Sequence, residues 1–298
     1  GIDRICPRAM QHRDNADSKQ KSEHSKPAKK ARQNHFSMSR HNDITYVAKG
    51  SPLPGHSQAK QDNMSKREND SKRGRNGRAA QLKLAVLISG SGTNLQALID
   101  ACAEPVYPAR ISLVIANKDD AGGLARAAKV NIATQIIRHK DFAEREAFDQ
   151  ALSDALEAAD IDLICLAGFM RVLGATFVEH WKDRLINIHP ALLPSFKGLH
   201  THQRALEAGV RIAGCTVHYV RADVDVGPII AQAAVPVLPG DNEDNLAARV
   251  LKQEHRLYPL AVELIARGLV HVENGRVRIE EADSRAEDAV LINPPPFG

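Results

Sequence analysis

Aromatic residues make up only 4% of the 298-residue chain, and there is one tryptophan. No apolar run is long enough to cross a bilayer, and none of the secretory kind lies near the beginning, which argues against a membrane-spanning or exported protein. The four cysteines, Cys6, Cys102, Cys165 and Cys215, are scattered and form no CxxC pair. Three of them lie in apolar segments, where a buried free thiol is the ordinary role, so neither a disulfide framework nor a zinc ribbon is expected. The imidazoles of His200, His202, His218 and His255 show no familiar zinc spacing. There is no GK[ST] phosphate loop, no G-x-S-x-G elbow and no internal repeat. These absences leave a soluble protein of a reducing cytoplasm, without a metal.

Charge is distributed unevenly. Residues 1–80 hold 18 of the 40 Lys+Arg and 8 of the 36 Asp+Glu, so the rest carries 22 basic against 28 acidic residues. The net charge of +4 therefore describes the first 80 residues and not the body. Stretches such as "SKQKSEHSKPAKKARQNH" are polar, nearly free of aromatics and without hydrophobic period. They cannot bury enough apolar surface to offset their ordering entropy, so residues 1–80 are expected to be a disordered basic extension. A basic tail can bind nucleic acid nonspecifically, but no stacking aromatics are interleaved with its charges, which favours a solvated extension. Residues 81–285 are expected to form the catalytic domain, and residues 286–298, ending "NPPPFG", a loose tail.

From residue 82 apolar runs alternate with amphipathic stretches. "KLAVLIS", "RISLVIANK", "IATQIIR", "IDLICLAGF" and "RLINIH" read as strands. "GSGTNLQALIDACA", "AGGLARAAKV" and "DFAEREAFDQALSDALEAA" read as intervening helices, the last with Phe142, Ala147, Leu152, Ala155 and Leu156 facing inward. This alternation implies right-handed crossovers and an α/β fold with a mainly parallel sheet. "GCTVHYV" and "PIIAQAAVPV" are too close for a helix between them, so they are expected to pair antiparallel at one side of the sheet. A long helix follows in "EDNLAARVLKQEHRLYPLAVELIARG", then a hairpin around Asn274-Gly275.

Two places could carry chemistry. "SGSGTN", residues 89–94, joins a strand to a helix, where backbone N–H groups and the helix dipole can receive a phosphate. It lacks the third glycine of a dinucleotide fingerprint, and a tight turn capped by Thr93 or Asn94 explains it equally well. The second place is "LINIHP". Asn187 and His189 are two apart on a strand and so project side by side, and Pro190 ends the pairing because it has no N–H. An amide donor beside an imidazolium suits a developing oxyanion, although a lone buried histidine is more often a satisfied core residue. Asp225, in "ADVDVGPII", would raise the pKa of His189 from about 6.5 if it lay nearby, but it could equally be a turn aspartate.

The ordered segments "VLISGSGTNLQALID", "ANK", "LAGFMRVL", "NIHPALLPSFKGLHTH", "GCTVHYV", "DVGPII" and "QEHRLYP" resemble the phosphoribosylglycinamide formyltransferase family, from about Lys83 to about Leu269. The resemblance implies a Rossmann-like formyltransferase fold with Asn187, His189 and Asp225 as the catalytic trio. It also implies that Gly92, Thr93 and Asn94 hold the ribose phosphate, that Leu95 and Gln96 belong to the same ribonucleotide site, and that Glu254 contacts the glycinamide substrate. Arg145, Met170, Arg171, Val172 and Leu173, with Asn187, Asp225 and the loop from Arg221, would surround the folate, with Gly168 and Lys118 close by. The implied co-substrate is 10-formyltetrahydrofolate and the acceptor glycinamide ribonucleotide, with no metal and no membrane partner.

Three other readings compete. A formyltetrahydrofolate deformylase would use the same trio on water, but in that family a second histidine usually follows the first, where this chain has Pro190. A methionyl-tRNA formyltransferase would carry a sizeable C-terminal RNA-binding domain, and fewer than 30 residues follow Leu269. A nonenzymatic nucleotide-binding or RNA-binding protein would have no need of Asn187, His189 and Asp225 together.

Overall fold

The computed structural model describes residues 81–280. The expected basic extension, the whole expected C-terminal tail and the last five residues of the expected catalytic domain lie outside them.

Seven strands form one sheet in the order β3-β2-β1-β4-β5-β6-β7. The central strands β1 (Leu82–Ile88), β2 (Ala109–Ala116), β4 (Leu163–Leu166) and β5 (Leu185–His189) are nearly unbroken apolar runs, as strands covered on both faces must be. They and β3 (Thr134–Ile136) run parallel, and β6 (Ile212–Tyr219) and β7 (Ile229–Pro236) add to the far side antiparallel. The expected third strand is only three residues long and is an exposed edge. A separate hairpin, β8 (Val270–Glu273) with β9 (Arg276–Ile279), turns at Asn274 and Gly275, both at positive φ.

Helices cover both faces. α1 (Thr93–Ala103) and α6 (Glu243–Ala266) bury Leu95, Leu98, Leu246, Val250 and Tyr258 against Val86, Ile88 and Ile186. On the opposite face, α3 (Arg145–Ala158) and α4 (Ala175–His180) bury Phe148, Leu152, Phe177 and Trp181 against Leu87 and Ile115. α2 (Gly123–Lys129) packs beside α1, and α5 (Thr201–Glu207) follows the loop after β5.

The inward face of α3 differs from expectation. Phe148, Leu152 and Leu156 are buried at four-residue intervals, while Ala147 is exposed. The helix begins at Arg145 after a short 3-10 turn at His139–Asp141, so Phe142 precedes it. The two short helices α4 and α5 were not expected at all. Six or seven residues span less than two turns, too few for a 3.6-residue period to stand out.

Chain direction across the sheet reverses between β1 and β4. The strands β1, β2 and β3 step one way and β4 and β5 the other. In an open α/β sheet, ligands bind beyond the carboxyl ends of the strands at such a point. Here the two loops touch, with Ser89 N–H donating to the Gly168 carbonyl at 3.2 Å.

Candidate active site

Gly92 ends the loop after β1 in the left-handed conformation, at φ 72°. A side chain there would meet the Gly123 backbone at 2.6 Å, so α2 can approach the loop only where both residues are glycine. This opens the first turn of α1, where Thr93 and Asn94 are half-buried. Asn94 Nδ2 donates to Glu254 Oε2 on α6 at 2.7 Å, while Asn94 Oδ1 is buried without a protein partner. Burial pushes the Glu254 carboxyl up from its ordinary value, and the Asn94 bond offsets that only in part. Leu95 is fully buried in the core, so only its backbone can serve a ligand. Gln96 is occupied at both ends, by Asp100 and by Arg126. Arg126 also donates to the Ser91 carbonyl at 2.9 Å, bringing a cation to the loop that sequence reasoning did not select.

On β5, Ile186 and Ile188 belong to the core beside α1 and α6, so Asn187 and His189 project to the other face, side by side as the two-residue period requires. Asp225 reaches them from the loop between β6 and β7. Its Oδ2 lies 3.3 Å from His189 Nδ1 and accepts from Gly198 N–H at 2.8 Å. The trio expected from the sequence is thus one cluster.

A fourth member was missed. His218, directly opposite Asn187 in the β5–β6 register, has Nε2 3.4 Å from Asn187 Nδ2 and 3.6 Å from Asp225 Oδ1. Its Nδ1 faces the Tyr219 carbonyl at 2.9 Å. Nε2 therefore lies between the Asn187 amide and the Asp225 carboxylate, and the proton it carries decides which of the two it bonds. The sequence signal was an imidazole inside an apolar strand.

The charge state of His189 departs from expectation. Both ring nitrogens face acceptors, Nδ1 the Asp225 carboxylate and Nε2 the Phe196 carbonyl at 3.0 Å. Burial nevertheless outweighs both and holds its pKa below 6.5, so Asp225 does not raise it above the ordinary value. Asp225 behaves oppositely. Burial would push it up, but contacts with His218 and Gly198 N–H and the nearby His189 hold it below the usual carboxylate range.

The loop after β4 forms the third wall. Met170 N–H donates to Ser89 Oγ at 2.8 Å, and Met170 and Val172 are 65% and 57% exposed. Leu173 faces the core beside α3, so its side chain is withdrawn. Arg145 is exposed at the start of α3, and Lys118 is exposed at the end of β2. Burial pushes the Cys102 thiol up to about 11 and the Cys215 thiol up to about 12, which leaves neither as a nucleophile at neutral pH.

A glycine loop at the sheet's reversal point, beside a polar strand tip, describes a class of α/β ligand-binding enzyme. Residues 82–262 match the formyl transferase family, and the chain belongs to it. It is 48% identical to phosphoribosylglycinamide formyltransferase of Escherichia coli over 187 residues, covering 63% of this chain and 88% of that protein. It is 51% identical over 196 residues to the bovine trifunctional purine biosynthetic protein adenosine-3, 65% of this chain but only 19% of that longer relative. Among solved structures, glycinamide ribonucleotide transformylase 1 from Symbiobacterium toebii aligns with a TM-score of 0.68 at 47% identity, over 70% of this chain and 99% of that one.

Proposed function

We propose that the protein transfers the formyl group of 10-formyltetrahydrofolate to the amine of glycinamide ribonucleotide. One observation carries this reading: Asn187, His189 and Asp225, with His218, converge at the strand tip between two walls of different character. One wall, from α1 and α6, offers helix N–H groups and the Asn94–Glu254 pair to a ribonucleotide. The other, from α3 and the 168–174 segment, offers backbone groups, exposed Met170 and Val172, and the cations Arg145 and Arg171 to a folate with its terminal carboxylates. The unpartnered Asn94 Oδ1 and Arg171 Nε fit such occupants.

The amine nitrogen attacks the formyl carbon, a C–N bond forms, and the carbonyl oxygen becomes an oxyanion. Asn187, with His218 Nε2 beside its amide, donates an N–H to it. His189 enters neutral because burial disfavours its charge. A neutral imidazole has one N–H, and with that proton on Nε2 it turns from the Phe196 carbonyl to the oxyanion as the intermediate forms. Asp225, ionised at neutral pH, receives the proton lost by the amine, directly or through water, and returns it to the folate nitrogen as its bond to the formyl carbon breaks.

The test follows tetrahydrofolate release by absorbance, with and without glycinamide ribonucleotide. Release only with the ribonucleotide is expected. Release without it would make water the acceptor and the protein a hydrolase, and no release in either case would leave a binding protein.

A further inference from the structure

Asp149 is a buried carboxylate for which the chemistry above has no use. It stands on α3 four residues after Arg145, on the same side of the helix, and is 6% exposed among Phe148, Leu152 and Phe177. Its Oδ2 accepts from Gly174 N–H at 2.7 Å, while Oδ1 is buried and has no partner. Burial pushes its carboxyl up, and the Gly174 bond and the nearby Arg145 and Arg171 guanidiniums oppose that. An amide would accept the same bond at lower desolvation cost, so the negative charge itself calls for a reason.

That reason lies in what converges on Gly174. A methyl group there would sit 2.8 Å from Asp149 Oδ2 and 3.8 Å from Arg145 Nε, so carboxylate, cation and loop end meet where only glycine leaves room. The segment from Gly168 to Gly174 is therefore tied at both ends. Ser89 holds its start through the Gly168 carbonyl and Met170 N–H, and Asp149 holds its end. One turn along α3, Ser153 Oγ accepts from Trp181 Nε1 at 2.9 Å, fixing α4 to the same helix face. Arg171 lies between the ties with its Nε buried and unpartnered.

We propose that Asp149 is a positioning residue for the formyl donor. It clamps the 168–174 segment and, through its free oxygen, serves as the counter-charge that sets Arg145 and Arg171 toward the donor's carboxylates. The proposal rests on the reading of residues 170–173 as the folate wall, and it adds a donor-specific role for a residue that touches neither substrate.

The variant Asp149→Asn keeps the shape and an acceptor for Gly174 and removes the charge. Amide hydrogen exchange across residues 168–174, with Trp181 fluorescence as a control on α4, reads the clamp without any turnover. Steady-state kinetics reads the KM for 10-formyltetrahydrofolate against that for the ribonucleotide. A charge-assisted bond removed from one wall is expected to speed segment exchange and raise the folate KM by about tenfold or more, with the ribonucleotide KM within about twofold of wild type. Gly174→Ala, whose methyl group would push the Asp149 carboxylate off the Gly174 N–H, is expected to give the same pattern if Asp149→Asn does not fold. Unchanged exchange and folate KM would overturn the proposal, as would both KM values rising together with a lower melting temperature. A wild-type protein inactive with both substrates would instead overturn the function proposed above, while the exchange comparison would still decide the clamp.

Discussion

Asp225 holds more partners than a loop carboxylate needs for folding: a backbone N–H from Gly198, the His189 ring and the His218 ring. If it relays the proton, Asp225→Asn lowers kcat by about a hundredfold to ten-thousandfold, the usual range for a lost acid–base group. The folate Kd should then move by no more than about threefold, because the amide still fills the space and still accepts from Gly198. Single-turnover rates and equilibrium titration separate the two, and equal losses in both would mean that Asp225 only supports the loop. The pair Asn187 and His189 was legible because strand alternation alone places them together. His218 was not, since a histidine within a strand has no meaning until the register sets it opposite Asn187. The proton on His189 was misjudged for a related reason, because a neighbouring carboxylate can be guessed from sequence but the depth of burial that outweighs it cannot.

At the scale of elements, the loop that carries Asp225 depends on Gly227. A methyl group at that position would lie 1.6 Å from the Tyr219 carbonyl oxygen, where β6 and β7 begin to pair through Tyr219 N–H and the Pro228 carbonyl. Gly227→Ala must push the strands apart, at a cost of about 1–3 kcal/mol by overpacking. For a domain of this size that lowers the melting temperature by roughly 2–12 °C. It should also displace Asp225 and reduce kcat by at least about tenfold, given how steeply catalysis depends on placement. Calorimetry and turnover on the same preparation check both, and a normal kcat with a lowered melting temperature would show that the loop tolerates the shift. The long helices and apolar strands were legible because each repeats its period several times. α4 and α5 were not, and they matter to the site, because α4 begins just after the clamped Gly174 and α5 just after the loop that holds Asp225.

Across the whole molecule, the site places polar groups at a depth that the rest of the fold must stabilise, and this makes stability depend on pH. Burial lowers the pKa of His189, His202 and His255 below 6.5, so each binds a proton more readily in the unfolded chain. The stability they contribute is complete above the unfolded value and is lost as pH falls through about 6.5 toward the folded values. Glu254 and Asp149, raised by burial, work in the opposite sense, contributing stability below their unfolded values that is lost as pH rises through the folded ones. Asp225 and Asp241, which are lowered, add a further loss only as pH falls below about 4. The loss from the three histidines falls within pH 7 to about 5.5, before the ordinary carboxylates titrate, and a melting temperature that declines over that window is the expected outcome. His202→Gln, which leaves the trio intact, should make that decline shallower, because one of the three protons no longer takes part. A melting temperature flat or rising from pH 7 down to 5.5, or a slope unchanged by His202→Gln, would show that the buried imidazoles are already compensated in the folded protein.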